Sequence, residues 1–401
     1  MSERIYYTDP GCQAFTARVT RSFLHGDRAA VTLDRTAFYP TSGGQPFDTG
    51  VLGDVPVVEV LDEAGEVVHL LDHPLAEGRE VEGRVDWTRR FDHMQQHTGQ
   101  HILSAVFERL SGHRTVSFHM GSELSTIDLS RDVNADEVAR AEDEANRAIW
   151  DDLPVGIRFA SPDEAAAMPL RKESVRTGTL RLIGVPGIDL SACGGTHVAS
   201  TGAIGAIVVT GWERVKGGAR VSFACGGRAV RAHRRLAAVV TGSVRVLSVL
   251  PPELPAAIER LQAEAKEQRK AVKALQERLA VFEAEALLAS ASTVNGVRVI
   301  ARVLDGYDAA GLKTMASAVT TVPDAAVAFL SSGTPLQIVI ARSAGLAGID
   351  AGSLLRRLVE QFGGRGGGKA DLAQGGGFEG DVRQILWTVS GLLEDAAGGT
   401  R

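Results

Sequence analysis

Two pentapeptides carry the residues best suited to chemistry: His97-Thr98-Gly99-Gln100-His101 and Cys193-Gly194-Gly195-Thr196-His197. Residues four apart on a helix share a face, so His97 and His101 can grip one ion. The glycines of the second pentapeptide allow a tight turn that brings the Cys193 thiolate beside His197. Three imidazoles and one thiolate match the nitrogen and sulfur preference of zinc. Each half alone is a weak signal, and both halves in one chain are much stronger. Other zinc chemistries lack their residues here. A zincin needs HExxH with Glu as base, and Thr98 stands at that position. A nucleobase deaminase needs H-x-E followed by C-x-x-C, and neither is present.

The elements that must position these residues are legible in outline. Ile102, Leu103, Val106, Phe107 and Leu110 recur at helical spacing and predict a helix over 93–111, with Asp92 as its N-cap. Before it, ARVT, AAVTLD, VPVVEVLDE and EVVHLLDH read as strands split by Gly, Pro and Asp turns, so residues 1–90 are expected to form a β-barrel-like domain. After it, SFHMG and STIDLS read as strands, and a helix is expected near 135–150 after Asn134. A further helix ends at Pro251-Pro252. From Leu254, apolar residues alternate steps of four and three through Ile258, Leu261, Val272, Leu275, Leu279 and Phe282, with one polar break at Gln268. That pattern predicts a long helical hairpin or coiled coil. Residues 294–401 alternate strands and helices, as in an α/β domain. The expected fold class is α+β, divided as 1–90, a zinc-binding domain over 91–250, a linker helix over 251–291 and a C-terminal domain over 292–401.

Composition narrows the setting. The 401 residues are 44% hydrophobic and 23% charged, ordinary soluble proportions. No stretch approaches the roughly 20 apolar residues that cross a bilayer, and MSERIYYTDPGC lacks the apolar core of a signal peptide. A cytosolic location without membrane association is expected. The three cysteines, Cys12, Cys193 and Cys225, are too few for a disulfide framework. A net charge of −6 counts mildly against a nucleic-acid partner. The cations nonetheless cluster: Arg84, Arg89 and Arg90; Arg171, Lys172, Arg176 and Arg181; Arg214, Lys216 and Arg220; Arg228, Arg231, Arg234 and Arg235. Such patches can bind phosphates while the total stays negative.

With their flanks, these residues resemble the alanyl-tRNA editing family, free-standing relatives of the editing domain of alanyl-tRNA synthetase. FDHMQQHTGQHILSAVFERL is similar to the family's first metal motif, TVSFHMGSELSTIDL to its following strands and SACGGTHVASTGAIG to its second metal motif. FYPTSGGQPFDTG, residues 38–50, resembles the glycine motif of the N-terminal β domain. GGRGGGKADLAQGGG, residues 363–377, resembles the DHH-associated domain of the long form. The resemblance begins directly with the β domain, so an editing protein without the aminoacylation domain is expected. It implies a zinc-dependent deacylase, acting in trans to the synthetase, that hydrolyses the ester of tRNA(Ala) mischarged with serine or glycine. It also implies His97, His101, Cys193 and His197 as the zinc ligands. The alternatives are a zinc-stabilised tRNA-binding module without activity and a zinc hydrolase of another ester or amide.

The expected mechanism stays open. Four bound protein ligands close a tetrahedral zinc, which then cannot activate water directly. Either one ligand swings away, or zinc shapes the pocket while a ribose hydroxyl positions water, or Cys193 holds substrate. Thr98 is a candidate to hold water or the seryl hydroxyl, against a back-bonded helical Thr. His119 is a candidate to orient the ester, on the strand face opposite Phe118 and Met120. Gly43 and Gly44 are candidates to let backbone approach the substrate, against a plain turn. No Asp or Glu stands out as a general base.

Gly363 to Lys369 almost spells a P-loop, but Ala370 replaces the Ser or Thr that binds Mg²⁺, and the segment follows a helix rather than a strand. Nucleotide hydrolysis is not expected. Arg365 and Lys369 can still present charge and backbone N–H groups to RNA phosphates. The heptad seam can join two subunits, so a homodimer through the C-terminal region is one expected assembly.

Overall fold

The computed structural model describes residues 2–171 and 178–399. Lys172 and Arg176 of the second basic cluster lie outside the described residues. The chain divides into two units, Met1–Ser243 and Val244–Arg401. Among the described residues no single helix is long and apolar enough to cross a membrane.

In the first unit, six strands close a barrel: β1 (Ala14–His25), β2 (Arg28–Leu33), β3 (Gly50–Leu52), β4 (Val55–Glu63), β5 (Glu66–Leu71) and β6 (Glu80–Val85), in the order β1-β2-β5-β4-β3-β6. Alternate residues such as Ala17 and Val19, or Val81 and Val85, point inward to a core with Phe38, Leu52 and Val60. The chain then enters α1 (Trp87–Ser111). Asp86, rather than Asp92, caps it by accepting from the Arg89 N–H, and Gly112 at φ +67° ends it. The helix begins a turn earlier than the apolar spacing predicts because Arg90 is itself a buried helical residue. Its guanidinium pairs with Asp48 and donates to the carbonyls of Pro10 and Ala37. Asp92 is spent instead on Arg228 and Arg231.

The helix α1 packs against α2 (Ala135–Trp150) and a four-stranded sheet of β7 (Thr115–Met120), β8 (Ser125–Leu129), β12 (Ile207–Val215) and β13 (Gly218–Cys225), ordered β12-β13-β8-β7. Ile102, Leu103, Val106 and Phe107 meet Ile127, Val221, Phe223 and Ala145 in one core. Each such burial stabilises by about 1.5–3 kcal/mol. The helix α2 opens with a capping box, Asn134 with Glu137. A three-stranded sheet, β9 (Gly156–Ala160), β10 (Leu180–Val185) and β11 (Asp189–Ala192), carries the Cys193 turn at its end. Then α3 (Gly227–Leu247) leads out of the unit.

In the second unit, α4 (Leu254–Ala289) is one continuous helix. Its Ala280 and Ala284 pack on α5 (Ala309–Thr320), while Ile258, Leu261, Val272, Leu275, Leu279 and Phe282 of the heptad are exposed. A six-stranded sheet follows, formed by β14 (Ser292–Val294), β15 (Val297–Leu304), β16 (Ala325–Ser331), β17 (Gln337–Arg342), β18 (Arg365–Gly368) and β19 (Leu372–Gly376). Its order is β14-β15-β16-β17-β19-β18, flanked by α5, α6 (Ala351–Phe362) and α7 (Val382–Gly398). The near-P-loop is therefore half of a glycine hairpin. A Cβ at Gly366 would lie 2.5 Å from the Gln374 carbonyl oxygen, and one at Gly368 would lie 2.3 Å from the Ala373 Cα. Arg365 and Lys369 are both exposed on it.

The Asp48–Arg90 pair fixes α1 to the barrel with both side chains wholly buried. Asp48→Ala would leave a buried cation unpaired and is expected to cost about 3–5 kcal/mol. Urea unfolding followed by near-UV circular dichroism checks it, and a cost under about 1 kcal/mol, the scale of exposed pairs, would contradict the assignment.

Candidate metal centre and cavity

A helix is normally apolar on one stripe only. Here α1 is buried from His93 through Phe107, including Gln95, Gln96, His97, Thr98, Gln100 and His101. Buried polar groups must find partners, and these do so in an ordered way. Gln96 accepts from the Cys225 N–H and donates to the Cys225 carbonyl. Gly99 lets the helix approach β13, since a Cβ there would meet the Cys225 Sγ at 2.3 Å.

His97 and His101 face Cys193 and His197 across one point. Their four ligand atoms lie within 4.8 Å of one another. The Cys193 Sγ is 3.4 Å from Nε2 of His97 and 3.4 Å from Nε2 of His197. The Nδ1 atoms are turned outward, each to a different partner. His97 Nδ1 donates to Gln45 Oε1 at 2.8 Å, His101 Nδ1 to Asp189 Oδ2 at 2.7 Å and His197 Nδ1 to Thr98 Oγ1 at 3.2 Å. The network assigns these roles. The Thr98 hydroxyl gives its proton to the Met94 carbonyl, so towards His197 it accepts. Gln45 Oε1 also accepts from the Thr196 N–H, while its Nε2 donates to Thr196 Oγ1. All three imidazoles therefore donate through Nδ1 and turn Nε2 towards the cluster, as metal-binding histidines do.

Electrostatics agree with a metal-ligating set. Burial alone would raise the Cys193 thiol, but His97 and His197 more than offset it and hold the thiol well below its ordinary value. Burial would lower His101, yet hydrogen bonds to Asp189 and Cys193 push it up to about 9, so its Nε2 holds a proton that a metal ion would displace. Burial takes His197 down to about 3. Bond lengths near 2.0–2.1 Å to nitrogen and 2.3 Å to sulfur suit donors this close together. The residues present fit a zinc ion.

A cavity of about 310 Å³ ends on the cluster. Tyr7, Tyr39, Phe118 and Phe159 supply apolar walls. Gln100, Thr115, Ser117 and Arg181 supply polar ones. Gln100 Nε2 and Thr115 Oγ1 both donate to Ser104 Oγ, which leaves Gln100 Oε1 as an acceptor.

Comparison with known proteins decides the family. The alanyl-tRNA editing protein AlaX-L of Pyrococcus horikoshii is 32% identical over 392 residues, covering 94% of each chain. The chain belongs to the alanyl-tRNA editing protein family. Within it, residues 180–220 match the threonyl and alanyl tRNA synthetase second additional domain, and residues 296–395 match the DHHA1 domain. Residues 3–89 match the family described as tRNA synthetases class II (A). The alanine–tRNA ligase of Pyrococcus abyssi is 34% identical over 390 residues, and the chain spans 41% of its length. Among solved structures, the C-Ala domain from Aquifex aeolicus alanyl-tRNA synthetase is similar at 24% identity over 27% of this chain and 98% of that one, with a TM-score of 0.24.

The geometry sorts the sequence candidates within this editing-family chain. Thr98 lines no part of the cavity. It is the back-bonded helical Thr, wholly buried behind His197, whose ring it orients. His119 is exposed and outside the cavity. Strand alternation holds, but the cavity lies on the Phe118 side, where the ring also packs on His97 at 5.5 Å. Gly43 and Gly44 form a two-residue turn at φ +56° and +84°, closed by paired bonds between Ser42 and Gln45. Gly43 lines the cavity, and a Cβ on Gly44 would meet Phe118 at 2.9 Å. Arg365 and Lys369 stand in the second unit. Most cations of the basic clusters are committed to acids: Arg214 to Asp132, Arg220 to Asp128, Arg228 to Asp92 and Arg171 to Asp189. Gln45, Gln100, Asp189 and Arg181 were not among the candidates. Gln45 sits inside the glycine motif and is legible there, whereas nothing in spacing links Asp189 to His101.

Gln45→Ala removes the acceptor that fixes the His97 ring. Metal affinity is expected to fall about 10- to 100-fold, measured by chelator competition. Gly195→Ala should do the same by a different route, since its Cβ would lie 2.1 Å from the His97 ring. Unchanged affinity in both variants would refute the orienting role of this contact.

Proposed function

We propose that the chain hydrolyses the ester joining serine or glycine to the 3′ end of tRNA(Ala), with a zinc ion held by His97, His101, Cys193 and His197. One observation carries the reading. Three imidazoles fixed through Nδ1, with Nε2 turned to one point, and a thiolate meet at the end of a cavity with both apolar and polar walls. Membership of the editing family supplies the substrate class.

Bound there, zinc would act as a Lewis acid towards the groups entering the cavity. The chain's own residues do the rest. Tyr7, Tyr39, Phe118 and Phe159 offer rings for the terminal base and exclude water. Gln100 and Thr115 give their protons to Ser104, and their oxygens are left to accept from a seryl hydroxyl. A correct alanine leaves these groups unpaired, which is how a second site can spare it. Cys193 differs from the other three ligands. Each imidazole is pinned through Nδ1, while among the described residues the Cys193 Sγ accepts, outside the cluster, only the Gly195 N–H. Cys193 is thus the ligand able to yield its place.

The exposed heptad face of α4 is the surface assigned to a second copy of the chain. Leu261→Glu with Leu275→Glu is expected to convert a dimer into a monomer in sedimentation velocity; a wild-type monomer at micromolar concentration would dismiss that assembly. The activity is tested with purified protein on serine-, glycine- and alanine-charged tRNA(Ala), with and without a chelator. The expected outcome is release of serine, sparing of alanine and loss of activity on chelation. Metal-loaded protein that binds tRNA(Ala) yet hydrolyses no ester would leave a binding module instead.

A further inference from the structure

Among the described residues three arginines are buried: Arg90, Arg181 and Arg228. A buried guanidinium is costly unless paired and fully hydrogen-bonded. Arg90 has Asp48 and Arg228 has Asp92. Arg181, on β10, is 7% exposed and has no carboxylate partner among the described residues. Its Nε donates to the Tyr7 carbonyl at 2.8 Å, and its Nη1 to the carbonyls of Cys193 at 2.8 Å and Gly195 at 2.9 Å. Its Nη2 is buried and has no partner among the described residues. The acid beside the cluster, Asp189, is already held by His101, Arg171 and Ser191. The Cys193 thiolate, the negative group facing Arg181, belongs to the metal-ligating cluster.

Arg181 also forms part of the cavity wall. One edge of its fork braces the Cys193–Gly195 turn and the other is unspent. A cation fixed in this way, with an idle donor beside a reacting centre, is placed to meet charge that arises only during reaction. We propose that Arg181 is a catalytic residue whose Nη2 donates to the ester carbonyl oxygen as it becomes an oxyanion; this rests on the editing function proposed above. Water oxygen bonds to the carbonyl carbon, and the carbonyl electron pair moves onto oxygen, where Arg181 receives it. Collapse breaks the bond to the ribose oxygen, which takes the proton that water surrenders. The products are the free amino acid and the tRNA terminal hydroxyl.

The test compares wild type, Arg181→Gln and Arg181→Lys on two substrates: serine-charged tRNA(Ala) and adenosine esterified with serine, which carries no phosphate. Arg181→Gln is expected to lower kcat about 10²- to 10³-fold on both, with KM little changed, and Arg181→Lys to recover part of the loss. Zinc content and Tm are recorded for each variant, and the Lys variant carries the test if the Gln variant does not fold. Binding supplies a second readout. A tetrahedral anionic phosphonate analogue of the serine ester should lose more affinity in the variants than the planar amide analogue. The proposal is overturned by a loss confined to KM, by a loss seen only with the phosphate-bearing substrate, by a loss matching a fall in zinc content, or by equal weakening of phosphonate and amide. Wild-type protein inactive on both substrates would instead sink the editing reading. The phosphonate-to-amide ratio still reports on Arg181 in that case.

Discussion

An imidazole is held ready to offer Nε2 to a metal when its other ring nitrogen donates to a fixed acceptor, which sets both tautomer and ring orientation. That constraint, applied three times at one point, organises the first unit. His97 is satisfied by Gln45 from the barrel turn, His101 by Asp189 from β11 and His197 by Thr98 from α1 itself. The three acceptors come from separate stretches of sequence, so the cluster assembles only when barrel, helix and three-stranded sheet are all in place. The barrel is therefore part of the site's machinery rather than an appendage beside it.

Holding a helix in such a position has a physical cost. About one and a half turns of α1 around His97 are polar and buried on every side, so helix propensity and an apolar stripe do not suffice to place it. The structure compensates with directional contacts. Arg90 anchors the N-terminal end to Asp48, Gln96 mimics a strand partner for Cys225, and Gly99 removes the one side chain that would hold helix and sheet apart. Gly195 plays the matching part on the other half of the cluster, where any side chain would displace His97. The glycines of both pentapeptides thus serve closeness of approach as much as turning.

Sequence made the clustering of His97, His101, Cys193 and His197 legible because their types and spacing are chemically unusual together. It made the strands of the barrel and the apolar face of α1 legible because period two and period 3.6 survive wherever one side is buried and the other is not. It failed where burial is polar. Asp92 looked like a cap because the apolar pattern starts after it, yet the preceding turn is helical through Arg90, a buried cation that no hydropathy pattern marks. His119 looked like a pocket residue because strand alternation gives two faces without saying which one meets the cavity. Thr98 looked available because its sequence neighbours are candidate metal ligands, whereas its hydroxyl is consumed by Met94 and His197. Asp189 was invisible for the converse reason: a lone acid acquires its role from a contact far away in sequence.

The distribution of partners also bears on how discrimination and chemistry divide within the cavity. Polar groups facing the cluster's outer side are saturated, each with a named partner, and contribute rigidity. On the cavity side, Gln100 keeps an acceptor and Arg181 keeps a donor unspent. Unspent groups held in rigid surroundings reward only a ligand that completes them, and a ligand that does not leaves the desolvation cost standing. A seryl ester can complete the first, while negative charge on its carbonyl oxygen can complete the second. The selective contact and the charge-meeting contact are thus carried by different residues on different elements, α1 and β10. The two differ in what else they hold: Gln100 spends its amide on Ser104, whereas Arg181 also braces the Cys193–Gly195 turn of the cluster.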